Sequence, residues 1–236
     1  MQRQCATLNV LADAYLGYGS YDSAPELLVP GARTPHLVRL INGLGADIVG
    51  LQEAEPTLVA ALSMAGDWQV FWSQKQNNKP DGCLTLVRRG ITAMGFTTHG
   101  YADGTGHILQ MVTVEGVVFA NTHIKWAPAD SPDHVGVGQT RAMLDHLGST
   151  RPAVIFADCN DRPGGPVRAL VQAAGFTNVS GDDPTALIGE ERAPIDLLAY
   201  RGVRATRIDL QFKPDDIPST ECPSDHIPVM ATIETE

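Results

Sequence analysis

Asp47-Ile48-Val49-Gly50-Leu51-Gln52-Glu53 is an apolar run closed by a carboxylate. Its apolar residues do not alternate with polar ones, so the strand over 47–52 must be covered on both faces. Such a strand belongs inside a layered sheet structure, and a charge delivered at its end is costly unless something uses it. The same pattern recurs along the chain. Val117-Val118-Phe119-Ala120 runs into Asn121-Thr122-His123, and Ala153-Val154-Ile155-Phe156-Ala157 runs into Asp158-Cys159-Asn160. A strand over 4–10 carries Leu8-Asn9-Val10, Ile195-Asp196 opens another, and Ser224-Asp225-His226 leads into Ile227-Pro228-Val229.

Outward from these runs, residues 13–33 read as a Gly-, Tyr- and Pro-rich loop. A helix follows with Thr34 as N-cap, Pro35 in its first turn, a stripe of Leu37, Leu40, Ile41 and Leu44, and Gly45 at its end. Further helices are predicted over 57–65, 135–148 and 165–174. Strands are predicted near 68–73, 82–88, 91–97, 107–114, 117–122, 153–157, 195–200, 203–210 and 226–233, with Glu115-Gly116 as a hairpin turn. The helices are too few and too unevenly placed for strict βα alternation. The pattern predicts an α/β fold of two mixed, mainly antiparallel sheets packed face to face with helices outside, as one domain over 1–236.

The 236 residues are 43% hydrophobic, enough for one large sheet-based core. No signal peptide, apolar run of membrane length or internal repeat occurs, so a cytoplasmic protein with no membrane partner is expected. The four cysteines form no CxxC pair and read as reduced thiols rather than a zinc site. A formal charge of −10, with only 17 Lys and Arg, argues against coating long duplex nucleic acid. A short nucleic-acid end or a small phosphorylated molecule fits better.

The carboxylates, amides and imidazoles at the strand ends are the inventory needed to hold Mg²⁺ and drive water into a phosphate ester. Mg²⁺ prefers oxygen donors and uses only one or two protein carboxylates. Glu53 is the first ligand candidate and Asp225 lies nearer the metal than its neighbour His226. Asn9 either holds a carboxylate or metal-linked water, or simply forms a turn. Asp158 is suited to accept a proton from water and Asn160 to fix phosphate or nucleophile, although Asp161 and Pro163-Gly164-Gly165 also suit an Asx turn. His123 can donate to a non-bridging oxygen. Asp196 can orient His226, which would stabilise the pentacovalent phosphorus or move a proton. Lys125 and Trp126 are candidates for phosphate contact and base stacking. Lys75, Lys79 and Arg162 are further candidates for substrate contact, and 73–81 reads either as a recognition loop or as a solvated connection. His36, His99, His107, His134 and His146 read as structural or surface groups.

Taken in order, these segments resemble the endonuclease/exonuclease/phosphatase superfamily over essentially the whole chain. The segments Thr7 to Tyr15, Asp81-Gly82-Cys83 and Thr122 to Trp126 are most similar to its deadenylase–nocturnin–Angel branch. The resemblance implies a four-layered α/β sandwich, Mg²⁺ or Mn²⁺ dependence and in-line attack of water on phosphorus. It implies metal ligation by Glu53 with Asn9 and Asp225 nearby, activation of the nucleophile by Asp158, and phosphate binding by Asn160 and His123. Transition-state stabilisation would fall to Asp196 and His226. The family's usual Gly-Asp-Phe-Asn stands here as Ala157-Asp158-Cys159-Asn160. The branch acts on RNA 3′ ends, on terminal phosphates including 2′,3′-cyclic ones, or on nucleotide cofactors. An RNA 3′ end is therefore the expected substrate. A small phosphorylated metabolite, a DNA repair substrate and a catalytically silent binding module are the rival readings.

Overall fold

A computed structural model describes residues 2–18 and 24–235. With strands numbered in chain order, one six-stranded sheet runs β13 (Arg204–Ile208), β14 (Val229–Glu234), β1 (Gln2–Asn9), β2 (Ile48–Ala54), β4 (Gly82–Arg88), β3 (Trp68–Gln74). The other runs β5 (Ala93–Gly100), β6 (Ile108–Val114), β7 (Val117–His123), β8 (Ala153–Asp158), β12 (Asp196–Arg201), β9 (Thr177–Asn178). Among the described strands only β1–β2 and β7–β8 pair in parallel. A two-stranded hairpin, β10 (Ala186–Ile188) and β11 (Glu191–Ala193), stands apart from both sheets.

Three apolar clusters separate four layers. Leu8, Leu51 and Leu84 pack under Leu37, Ile41, Leu58 and Leu62 of α1 (Thr34–Gly43) and α2 (Pro56–Met64). Ile48, Val87, Phe119, Val154, Phe156 and Ile233 fill the space between the sheets. Ile155 and Leu197 pack under Met143, Leu147, Val167 and Val171 of α3 (Val135–Leu147) and α4 (Pro166–Ala173). The result is the α/β sandwich with two mixed, mainly antiparallel sheets. The unalternating runs occupy central strands, and every residue of β2, β7 and β8 is buried. Among the described residues no helix is long and apolar enough to cross a membrane.

Gly50 marks where the sheets come closest. A Cβ there would lie 2.4 Å from the Phe156 ring, and neither strand can retreat without breaking its ladders. Gly50→Ala is therefore expected to cost about 1–3 kcal/mol by overpacking. Urea denaturation tests this, and an unchanged midpoint would mean that Phe156 moves aside freely.

Several local expectations need correction. The loop over 13–33 contains two 3₁₀ turns, Asp13–Tyr18 and Pro25–Leu28, while its residues 19–23 lie outside the described residues. Thr34 is the first helical residue, and Arg33 occupies the cap position without a side-chain cap. The Arg33 guanidinium instead turns inward, donating to Val10 O, Leu11 O, Pro223 O and Asp13. The strand expected from 226 begins at Val229, because Pro228 has no N–H and His226 bridges to Ala186 of the hairpin.

Candidate active site

The topology gathers the polar strand ends at one edge. In the parallel pairs β1–β2 and β7–β8, the C-terminal ends lie side by side and bring Asn9, Glu53, His123 and Asp158 together. β12 and β14 run antiparallel to these pairs, so their beginnings reach the same edge with Asp196 and His226. Asp196 pairs in register with Asp158, which pairs with His123.

Glu53 is held in a left-handed conformation, φ 58°, by a bulge in β2. Between Leu51 and Ala54 the strand takes three steps where β4 takes two, from Leu84 to Gly82. Asn121 braces the bulge from the opposite sheet, its Nδ2 donating to Leu51 O and Leu84 O at 3.1 Å each. Leu11 and Asn160 also have positive φ, 55° and 48°, and line the same cleft. Strain of this kind persists only where the surroundings fix it, and it collects at functional sites.

Asn9 joins two carboxylates, its Nδ2 donating to Glu53 Oε1 at 3.1 Å and to Asp158 Oδ2 at 2.9 Å. Its own amide oxygen accepts from Leu11 N. Glu53 Oε2 accepts from Ala12 N at 2.9 Å. Asp158 Oδ1 accepts from Asn160 N at 3.0 Å, the Asx turn, while Oδ2 faces the cleft. The Asn160 amide donates to Ile124 O and stands 3.0 Å from His123 Nε2, while His123 Nδ1 lies 3.5 Å from Glu53 Oε1. His226 Nδ1 donates to Asp196 Oδ2 at 2.8 Å. Its Nε2 looks into the cleft, 3.8 Å from Asp158 Oδ2 and 3.9 Å from Asp225 Oδ1.

Burial sets the electrostatics. It lifts Glu53 above the usual carboxylate range, with Lys75 opposing the shift and Asp225 adding to it. It pushes Asp158 up to about 7, against the pull of His226 and with a further push from Asp196. Burial alone would depress His226, but Asp196, Asp225 and Asp158 together hold it well above its ordinary value, as an imidazolium. Burial and the Lys75 ammonium keep His123 neutral. Clustered, desolvated carboxylates with one buried ammonium beside them are an environment that a divalent cation relieves. Among the described residues no group of three or more His, Cys, Asp or Glu side chains is arranged to hold a metal ion. Glu53 and Asp225, both oxygen donors lining an open cleft, fit an ion that uses one or two carboxylates and keeps its water, which is how Mg²⁺ binds.

The cleft has a volume of about 570 Å³. Lys79, Lys125 and the exposed Trp126 lie on its rim. Lys75 lines it as well, but from within the wall. Its ammonium is buried, 2.5 Å from Asp81 and 3.4 Å from His123 Nδ1, so the 73–81 segment mixes buried anchors with exposed Gln76, Asn77 and Asn78. Arg162 is not among the residues that line the cleft and pairs with Glu191 of the hairpin at 2.7 Å. Three features of the wall were not expected from sequence. His107 places its ring edge-on to His123 and its Nδ1 2.7 Å from His123 O. Tyr15 donates to Asp81. The hairpin brings Leu187, Ile188 and Gly189 to the cleft. Strands of three residues are too short for a periodic signal, and an isolated His or Tyr has none.

The profile of the endonuclease/exonuclease/phosphatase family matches residues 6–226. Among solved structures the chain is similar to ANGEL2, described as a 2′,3′-cyclic phosphatase in complex with adenosine-2′,3′-vanadate. The TM-score is 0.83 at 14% identity, covering 100% of this chain and 96% of that one. It is also similar to the human Nocturnin catalytic domain with a bound sulfate anion, with TM-score 0.74, 19% identity, and 100% and 94% covered. Truncated Caenorhabditis elegans TDP2 gives 0.70 at 17% identity, with 100% and 98% covered. At these identities the likeness is one of fold. No curated protein matches the chain by sequence.

Proposed function

The chain belongs to the endonuclease/exonuclease/phosphatase family, and from that premise we propose that it is a Mg²⁺-dependent phosphoesterase acting at RNA 3′ ends. It would work there as an exonuclease or as a 3′-end or 2′,3′-cyclic phosphatase. The observation that carries the reading is the Asp196–His226 pair, which sets Nε2 3.8 Å from Asp158 in a cleft that the buried, strained Glu53 also lines.

In this arrangement Asp158 orients the attacking water and accepts its proton; an acid near 7 is matched to that task at neutral pH. His226, charged and fixed by Asp196, donates from Nε2 to a phosphoryl oxygen as negative charge builds. Neutral His123 and the Asn160 amide offer further polar contacts to the phosphate. Glu53 and Asp225 would hold Mg²⁺, which supplies charge neutralisation at the phosphorus oxygens. Trp126 and Lys125 stand where a base can stack and a phosphate can pair. The description of ANGEL2 as a 2′,3′-cyclic phosphatase supports the choice of a terminal or 2′,3′-cyclic phosphate as the group attacked.

The test is 5′-labelled single-stranded RNA with Mg²⁺, ending in a 3′-hydroxyl, a 3′-phosphate or a 2′,3′-cyclic phosphate. A shortening ladder would identify an exonuclease, and loss of the terminal phosphate without shortening an end phosphatase. Asp158→Asn is expected to slow either reaction by about 10³-fold with the fold intact; full activity in that variant would remove Asp158 from the mechanism. A second reading, phosphatase of a small phosphorylated metabolite, is favoured by the net charge of −10 and a cleft of nucleotide size. Inert RNA beside saturable phosphate release from a nucleotide would establish it instead.

A further inference from the structure

Arg168 lies in α4, outside the cleft, and is only 8% exposed. Buried guanidinium groups are costly and normally find a carboxylate. Among the described residues Arg168 has no ion pair. Nε and Nη2 go to main-chain carbonyls instead, Nε to Asp161 O at 3.1 Å, and Nη2 to Pro194 O at 2.5 Å and Asp196 O at 3.2 Å, while Nη1 is buried without a hydrogen-bond partner among the described residues. The Asp161 carboxylate returns the tie, accepting from Val167 N at 2.8 Å and Arg168 N at 2.9 Å. Cys159 N closes the circuit onto Ile195 O at 2.9 Å.

The segments joined are the two that carry the chemistry. Asp161 ends the loop bearing Asp158 and Asn160, and Pro194 to Asp196 leads into β12, whose first residue supplies the carboxylate that fixes the His226 ring. We propose that Arg168 is a positioning residue. It touches no substrate, but its forked guanidinium bolts the Asp196–His226 pair and the Asp158–Asn160 loop into one register. This rests on the phosphoesterase reading of the cleft. Lysine offers one point charge in place of a planar fork and cannot span both segments.

The experiment compares Arg168→Met and Arg168→Lys with Val171→Ala, which removes buried methyl groups from the same helix but no side-chain hydrogen bond to either segment. Both Arg168 variants are expected to lose about 10–100-fold in kcat, the penalty of roughly an ångström of misplacement, with KM changed little. Val171→Ala is expected to lower the melting temperature and leave kcat alone. The low-field N–H resonance of His226 bonded to Asp196, assigned by its absence in His226→Gln, should shift or broaden in Arg168→Lys and persist in Val171→Ala. A folded Arg168→Lys with wild-type kcat and an unmoved resonance would overturn the proposal, as would equal kcat losses in Val171→Ala and Arg168→Lys. If Arg168→Met does not fold, Arg168→Lys decides. A wild-type protein that hydrolyses no phosphate ester would sink the functional reading alone, since the resonance still tests Arg168.

Discussion

Glu53→Gln is expected to abolish Mg²⁺-dependent turnover while leaving the metal-free protein at least as stable as the wild type. The side chain keeps its shape, and the strained bulge beneath it is built by β2, β4 and Asn121 rather than by the carboxylate. Two effects compete in the metal-free state. Glutamine cannot accept from both Asn9 Nδ2 and Ala12 N, and one lost hydrogen bond costs about 1 kcal/mol. Against that, the wild type holds a desolvated charge beside Asp225, and the variant removes it. Because burial raises the folded-state pKa of Glu53 above its unfolded value, the ionised group costs stability at neutral pH. That cost disappears as pH falls below about 4.3, the ordinary value for glutamate. The variant's relative stability is therefore greatest near pH 7 and shrinks in acid. Mg²⁺ should raise the melting temperature of the wild type, by the equivalent of about 2.7 kcal/mol at a hundredfold excess over Kd, and not that of Glu53→Gln. A variant that still responds to Mg²⁺ would take Glu53 out of the metal site.

His226→Ala is expected to lower kcat by about 10²–10⁴-fold, corresponding to roughly 3–5 kcal/mol of transition-state stabilisation. It carries a second penalty, because Asp196 is wholly buried and would lose its partner at 2.8 Å. Breaking a buried pair from one side costs about 3–5 kcal/mol of stability. His226→Gln separates the two losses: its amide can still donate to Asp196 and recover much of the stability, but it carries no charge toward the phosphate. Activity in both variants should stay low while only the alanine variant melts early. Denaturation and steady-state kinetics on the pair suffice, and a fully active glutamine variant would show that the imidazolium charge is not needed.

The sequence made the central strands legible because a run such as Ala153 to Ala157 has nowhere to go but between two covered faces, and polar residues at its end must then lie at an edge. Which edge, and beside what, depends on pairing between distant segments. That is why the contact of Asn9 with Asp158, 149 positions away, and the in-register row of His123, Asp158 and Asp196 emerge only in three dimensions. The bulge at Glu53 was invisible because it is a mismatch between two strands, a property of neither alone. From sequence Lys75 is a candidate substrate contact in a polar segment; only the fold brings Asp81 and His123 around it. Arg162 and Arg168 stand in the same short stretch, and sequence favoured the first as a substrate contact. The helix turns the second inward and leaves the first to Glu191 on the surface.

The pairing of β1 with β14 puts residue 2 beside residue 234, and the cleft needs Asn9 from one and His226 from the loop before the other. During synthesis, the segment holding Glu53, His123 and Asp158 therefore leaves the ribosome well before the imidazolium that completes the site. At about 5–20 residues per second, the interval between Asn9 and β14 is on the order of tens of seconds. Until β14 pairs with β1, the chain lacks the imidazole that the proposed chemistry needs, so the proposed activity would begin only after the segments furthest apart in sequence have met.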